Sequence, residues 1–349
     1  MSLRKYDPNK VEEKVEEVKE TEESKKVEEV VEAPIIETVD EKTLAEEINA
    51  KRLEYKAYAD KQKKINYIIT GIVCVCLVAI FAVMMVFSST EWVLYVGIGV
   101  MALVLAATYI SSKMMRKKLL ASAEVYIDFL YKKTSEYLYA SKDTKNFVAT
   151  PKGTLEDKYF LNAHFYSMLK GTKSRNFVHF TLNGVDYDSC DLAANTVIKG
   201  KLSPKFLGRF YSIKAPIDTK EKVTLFQLKG GKYSNPLDDI ENLKLVEGND
   251  VYAIYSDDEN YKKLFNDRMI KALSDFEIKA PLIDVIFSIK DNLISLGIDY
   301  EDEFLNIPVD SDFSIKNLRK SKEDYEKVLK VISVLLDNNS NKQKDSKAK

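Results

Sequence analysis

Three cysteines and two histidines are all the thiol and imidazole chemistry this chain holds. Cys190 and His179 come nearest to a nucleophile and its base. His179 sits in Phe177-Val178-His179-Phe180, a strand pattern, with Cys190 on the run that follows a tight turn. Such a pair needs the thiolate within hydrogen-bond reach of the imidazole and a third group to orient it. No residue pattern supplies that third group, and two half-buried sheet residues are the plainer account. His164 has no companion at all. Cys74-Val75-Cys76 lies in an apolar run, without the spacing or polar surroundings of a zinc site. Carboxylates gather at Asp186, Asp188 and Asp191, and at Asp299, Glu301, Asp302 and Glu303. Neither set has the alternating oxygen ligands and turn glycine of a calcium loop. Lys229-Gly230-Gly231-Lys232 lacks the upstream glycine and the downstream Ser/Thr of a phosphate-binding loop, and Gly171-Thr172-Lys173-Ser174 lacks the upstream glycine as well. The expectation is no catalytic residue, no metal and no cofactor.

The elements that would position any chemistry are more informative. Ile65–Phe87 and Trp92–Ile110 are long apolar runs separated by Ser88-Ser89-Thr90-Glu91. About 20 apolar residues in helix cross a hydrocarbon core, because every backbone polar group must be satisfied within the segment. The runs predict a two-helix transmembrane hairpin over residues 65–110. Lys51, Arg52, Lys56, Lys61, Lys63 and Lys64 precede it, and Lys113, Arg116, Lys117 and Lys118 follow; the turn has no positive charge. The positive-inside rule then puts both termini in the cytoplasm of a multi-pass protein of the cell membrane. Tyr67, Trp92, Tyr95 and Tyr109, near the span ends, are the expected interfacial anchors. Neither span carries an ionisable side chain of the kind that marks an ion path, so the hairpin reads as an anchor. Gly97, Gly99, Ala102 and Ala106, with Gly71, Ala79 and Ala82, are small enough for close helix packing, within the hairpin or between copies of it.

Charge is unevenly spread. Residues 1–49 hold 8 Lys/Arg against 16 Asp/Glu, while the chain as a whole has a net charge of −1. The part after Lys118 is neutral, which argues against a nucleic-acid partner. The basic collar of Lys61, Lys63, Lys64, Lys113, Arg116, Lys117 and Lys118 suits anionic lipid, at about 1 kcal/mol per residue near the surface.

Organisation follows from these boundaries. Residues 1–42 form an acidic tail too thin in apolar residues to pack. Thr43 with Glu46 fits a capping box, opening a juxtamembrane helix over 43–64 that runs into the first span. A post-span helix covers 111–140, with Ala123, Tyr126, Ile127, Leu130 and Tyr137 on one face. Thr154 and Asp157 suggest another cap. Strands are expected over Asn176–Leu182 and Val185–Cys190, joined by Asn183-Gly184, where both turn positions need positive φ. Further strands are Phe206–Ile213, Val223–Leu228, Leu243–Val246, Val251–Tyr255, Leu282–Ile289 and Leu293–Ile298. Helices are expected from Glu259, carrying Tyr261, Phe265, Met269, Leu273 and Phe276, and from a Ser321 cap, carrying Tyr325, Val328, Ile332 and Leu335. The fold class is a membrane α-helical hairpin plus a cytoplasmic α+β domain (141–338) with a mainly antiparallel sheet, ending in a polar disordered tail (339–349).

This order of parts resembles an uncharacterised bacterial family, the domain of unknown function 3137. The resemblance rests on Phe206-Leu207-Gly208-Arg209-Phe210, similar to a Phe-x-Gly-x-Phe strand entry, on Val251-Tyr252-Ala253-Ile254-Tyr255-Ser256-Asp257, and on Val285–Ile289 and Leu293–Ile298. It covers roughly residues 115–340 and implies membrane placement and fold, with no catalytic residues to carry over. Glycine in a strand permits a bulge or close backbone approach. Gly208, with Arg209 free to face solvent, and Tyr211 form the one candidate ligand surface. The favoured function is an interaction or scaffold module at the inner face of the membrane, with a protein partner. The alternatives are a tethered enzyme or small-ligand binder using a pocket around Phe206–Tyr211, and a homo-oligomeric complex joined through Gly97, Gly99 and Ala102.

Overall fold

The structure is a computed structural model; it describes residues 40–347 apart from Ser88, His164, 166–168, 199–200, 218–222, 230–242, Asp250, 277–283, Asp291 and 301–310. The tail through residue 39, His164, Gly230-Gly231-Lys232 and Glu301-Asp302-Glu303 thus lie outside the described residues.

Two helices dominate: α1 (Glu41–Val86) and α2 (Glu91–Tyr139), each unbroken. Both are long and apolar enough to cross a membrane, and the apolar stretches are 6% and 0% buried, unlike the core helices of a globular domain. The N-cap of α1 is Asp40, whose carboxylate accepts from the Thr43 amide at 3.0 Å. Thr43 therefore sits inside the first turn, and the start expected from Thr43 and Glu46 moves back to Asp40. Gly97 packs against Met84 across the hairpin, where a Cβ would lie 2.5 Å from the Met84 side chain; Gly71 and Gly99 face open space.

After α2 the chain forms β1 (Thr144–Thr150), α3 (Asp157–Leu161), β2 (Leu169–Leu182), β3 (Val185–Ile198), β4 (Lys201–Lys214) and β5 (Val223–Lys229). Then come β6 (Lys244–Gly248), β7 (Tyr252–Ser256), a 3-10 turn (Tyr261–Lys263), α4 (Asp267–Ser274), β8 (Asp284–Lys290), β9 (Leu293–Asp299) and α5 (Ile315–Lys347). The nine strands make one antiparallel sheet in the order β1-β2-β3-β4-β9-β8-β5-β7-β6. Asn183 and Gly184 take φ of 53° and 77° in the β2–β3 turn, the mirror-image turn whose twist matches the strands.

Alternation along each strand divides the sheet into two faces. One carries Phe180, Tyr187, Tyr211, Ile213, Phe226, Phe287, Leu296 and Ile298, packed against α4, α5 and the ends of α1 and α2 nearest the sheet. The other carries Cys190, Leu192, Ala194, Phe206 and Phe210, covered by Leu155, Phe160 and Phe165 around α3.

Three expectations change. The helix foreseen from Glu259 is a 3-10 turn and a separate α4, capped by the Asn266 side chain, which accepts from the Met269 amide. All five of its foreseen apolar residues are buried nonetheless. Helix α5 begins at Ile315, six residues before Ser321, which is buried within it. It also passes through the point where a polar tail was expected. Asn338 and Asn339 are buried, donating to the carbonyls of Leu264 (3.0 Å) and Pro216 (2.8 Å).

Candidate functional site

Gly208, Arg209 and Tyr211, the surface foreseen for a ligand, lie in the interior. Arg209 is 2% and Tyr211 1% exposed. A Cβ on Gly208 would sit 1.9 Å from the Ile298 carbonyl oxygen. The glycine therefore serves close approach of β4 to β9, as one of its two sequence readings held, and Arg209 does not face solvent.

What Arg209 does is set by a bulge. β2 shifts register between Arg175 and Val178, with Asn176 at φ 54°, a left-handed conformation that asparagine tolerates. The bulge turns the Asn176 carbonyl toward Arg209, which donates to it from Nη1 at 3.1 Å. The same Nη1 donates to Asp191 Oδ1 at 2.9 Å, and Asn176 Nδ2 donates to the other oxygen of that carboxylate. Asp191 stands opposite Arg209 in the β3–β4 register. The guanidinium lies over the Tyr139 ring, 5.5 Å from its centroid. Tyr139, on the last turn of α2, stacks on Phe180, meets Tyr325 of α5 edge-on at 4.8 Å, and shares a hydroxyl contact of 3.3 Å with Tyr211. Burial opposes the charge on Arg209, but Tyr139 and Asp191 outweigh it and keep the group cationic. Burial pushes the Tyr211 and Tyr300 hydroxyls well above their ordinary value, so both stay protonated and neutral. Tyr300 donates to Asp324 Oδ2 of α5 at 3.0 Å, and burial holds that carboxyl above its usual range against the pull of Tyr300 and Lys327. Among the described residues this buried ion pair is walled by aromatics and leaves no opening for a substrate. It fastens α2, α5 and the strands β2, β3 and β4 to one another.

The other chemical candidates separate in space. His179 Nδ1 meets Asp188 Oδ1 at 2.7 Å, directly across β2–β3. Cys190 lies farther along β3, fully buried, its thiol pushed up to about 12 by burial. A protonated, enclosed thiol is no nucleophile. A chain of cross-strand neighbours runs His179, Asp188, Ser212, Ser295, Ser288. Asp188 thus stands between the histidine and Ser212, the reverse of the order in which an imidazole activates a hydroxyl. Asp186 accepts from Thr181, and Asp191 points to the opposite face from Asp186 and Asp188, so these carboxylates share no cage. Among the described residues no group of acidic, histidine or cysteine side chains is placed to hold a metal.

A second set of contacts was missed in the sequence. Arg52, counted there among the positive flank, is 3% exposed and pairs with Asp312 just before α5. Asn49 beside it accepts from the Phe313 amide at 2.9 Å. Glu41 accepts from Tyr137 at 2.6 Å and from Arg319 at 2.5 Å, and Tyr55 stacks on Tyr126. Leu44, Ile48, Arg52, Tyr55 and Ala59 share one helical face, which was the available signal.

No family model, no curated protein and no solved structure matches this chain.

The remaining surface is dominated by the long helices. Tyr67, Trp92, Tyr95 and Tyr109 are all more than half exposed, and every residue of the collar foreseen at Lys61–Lys64 and Lys113–Lys118 is exposed. Gln62 and Ile65 of α1 line one open cleft of about 610 Å³ with Ile110, Ser111 and Lys118 of α2. The two halves of the collar therefore stand at one height. A second open depression, about 460 Å³, lies at Lys214, Ala215, Pro216, Asn292 and Leu293; neither encloses a small molecule.

Proposed function

We propose that this chain is a two-span membrane protein, both termini cytoplasmic, whose α+β domain is an interaction or scaffold module at the inner face of a bacterial membrane. One observation carries the reading. Helices α1 and α2 expose almost all of their apolar halves, yet continue without a break into ends that are buried in the core of the domain. An apolar surface of that length is rarely left in water by a folded soluble protein, and a bilayer covers it. The collar at one height and the aromatic residues near the span ends support the same placement. The order of parts keeps the resemblance to the domain of unknown function 3137 as part of this proposal. The ligand-pocket alternative around Phe206–Tyr211 loses its support, because Phe206, Phe210 and Tyr211 are closely packed and buried.

The test is extraction followed by crosslinking in intact cells. The protein stays in the membrane pellet through alkaline carbonate washing, protease added outside leaves the domain intact, and gentle purification brings a stoichiometric protein partner. Release by carbonate would remove the spans. Full retention with nothing bound beyond background would turn attention from scaffolding to small ligands.

A further inference from the structure

We propose that the cleft between α1 and α2 at the level of the collar is a discrete site for one anionic phospholipid, its phosphate held by Lys118. The inference rests on the membrane reading above and deepens it, setting one lipid on named residues in place of a diffuse basic belt.

The hairpin makes this cleft by closing at two places and parting between them. On the sheet side Tyr55 stacks on Tyr126. Toward the turn, Gly97 lies against the Met84 side chain. Between these contacts each helix advances 29 residues, from 55 to 84 and from 97 to 126, so both keep one antiparallel register. Seven residues on from Tyr55 is Gln62, and eight back from Tyr126 is Lys118, which sets these two at nearly one height. Ala59, one turn above, is buried between the helices, whereas Gln62 and Ile65 are only half-buried. The short side chains of Ser111 and Ala107 line α2 below them, and a space of about 610 Å³ opens. Ligand clefts in proteins are commonly about 300–1,000 Å³.

The cleft crosses from headgroups to hydrocarbon. Ala107, Ser111, Met114 and Lys118 recur at helical spacing along one face of α2. At ~1.5 Å per residue this lining is about 16 Å long. Its lower end lies within the apolar run that closes at Ile110, and its upper end lies among the collar lysines. Ile110 and Met114 are more than half exposed along it, an apolar wall for an acyl chain.

Charge names the occupant. From Lys61 to Lys118 the sequence holds one carboxylate, Glu91, in the turn at the far end. Asp60, just outside that range, lies 3.9 Å from Lys63, and Glu124 farther along α2 is held by Lys152. Among the described residues Lys61, Lys64, Lys113, Arg116, Lys117 and Lys118 have no carboxylate partner. Helical side chains tilt toward the N-terminus of their helix. α2 rises from the far side of the bilayer, so Lys118 leans down toward the headgroups, while Lys61 and Lys64 of α1 lean away from them. Lys118 is therefore the cation of the cleft, and the Gln62 amide beside it is a second donor to a phosphate. A basic pocket between spans on the cytoplasmic side suits an anionic headgroup.

Full-length protein is reconstituted in vesicles of equal phosphatidylglycerol and phosphatidylcholine, released into mild detergent and weighed by native mass spectrometry. The expected particle keeps one phosphatidylglycerol per chain, with phosphatidylcholine kept roughly five-fold less. Lys118→Gln lowers retention of phosphatidylglycerol roughly five-fold. Lys117→Gln, the same change of charge outside the cleft, lowers it less than about two-fold. Equal losses in the two variants mean a diffuse field and overturn the site, as does a Lys118→Gln protein that keeps its lipid. A particle of two chains without lipid gives the cleft to a second copy and also overturns it. Carbonate washing of the same vesicles separates the two readings: a chain that washes off fails both, and a chain that stays but keeps no phosphatidylglycerol fails only the cleft. In the unmutated protein, phosphatidylglycerol with a photoreactive diazirine in its acyl chain is expected to label residues 107–115 more than the matching phosphatidylcholine does. Equal labelling counts against the site.

Discussion

Tyr55 of α1 and Tyr126 of α2 stack with ring centroids 5.6 Å apart and planes 5° from parallel. The pair joins the two long helices on the sheet side of the collar. The Tyr126 hydroxyl is buried with no hydrogen-bond partner among the described residues. Tyr126→Phe keeps the stack and removes the stranded group, so it is neutral or stabilising by about 1 kcal/mol. Tyr126→Ala removes the ring and costs about 3 kcal/mol. Thermal unfolding in detergent, followed by near-UV circular dichroism, compares the two; a Phe variant clearly less stable than wild type would mean the hydroxyl has a partner.

The Arg209–Asp191 pair makes an asymmetric prediction. Asp191→Ala leaves a buried guanidinium without its carboxylate and costs about 3–5 kcal/mol. Asp191→Leu combined with Arg209→Met removes both charges and is less damaging than Asp191→Ala, because no charge remains buried. Urea midpoints of the three proteins decide this, and a double variant worse than the single would show that the pair itself holds the fold.

Glycines separate by position. Gly208→Ala forces β4 away from the Ile298 carbonyl of β9 and is destabilising by about 3 kcal/mol or prevents folding. Gly99→Ala meets nothing within 4 Å and leaves folding unchanged. If Gly99→Ala nevertheless alters the size of the detergent particle, a contact between copies of the hairpin is the reason.

Alkaline pH should weaken the domain. Burial holds Tyr187 up to about 12 from an ordinary 10.0, and Cys190 up to about 12 from 9.0. The unfolded chain ionises both groups first, so the native state holds protons that the unfolded state has released. The stability these groups lend is whole below about pH 9 and is lost as pH rises toward 12. Tyr187→Phe with Cys190→Ala flattens that decline between pH 9 and 11, read as urea midpoints at each pH; an unchanged slope would assign it to other tyrosines.

Legibility in the sequence followed the range of the interactions. The apolar runs, Asn183-Gly184 and the strands around it were readable because propensity, alternation and turn chemistry agree within a few residues. β1 escaped notice: its segment begins with polar residues, and Asn146 at φ 52° breaks its alternation with a bulge. Ser321 has the residue type of a cap but lies inside α5, whose start is fixed by contacts to α1 260 and 264 positions away. Arg209 was misplaced because a charged residue beside a glycine reads as exposed. Its carboxylate partner was visible only through the β3–β4 register, which no local pattern sets. The same limit hid Arg52 among its basic neighbours.

The unbroken course of α1 and α2 has one more consequence. In a bilayer, helices tilt to match hydrocarbon thickness. With no joint between apolar half and core, a tilt of about 10° swings Tyr131, about 31 Å above Ile110, sideways by about 5 Å. The domain would then register membrane thickness as an angle, in the manner of a needle on a gauge.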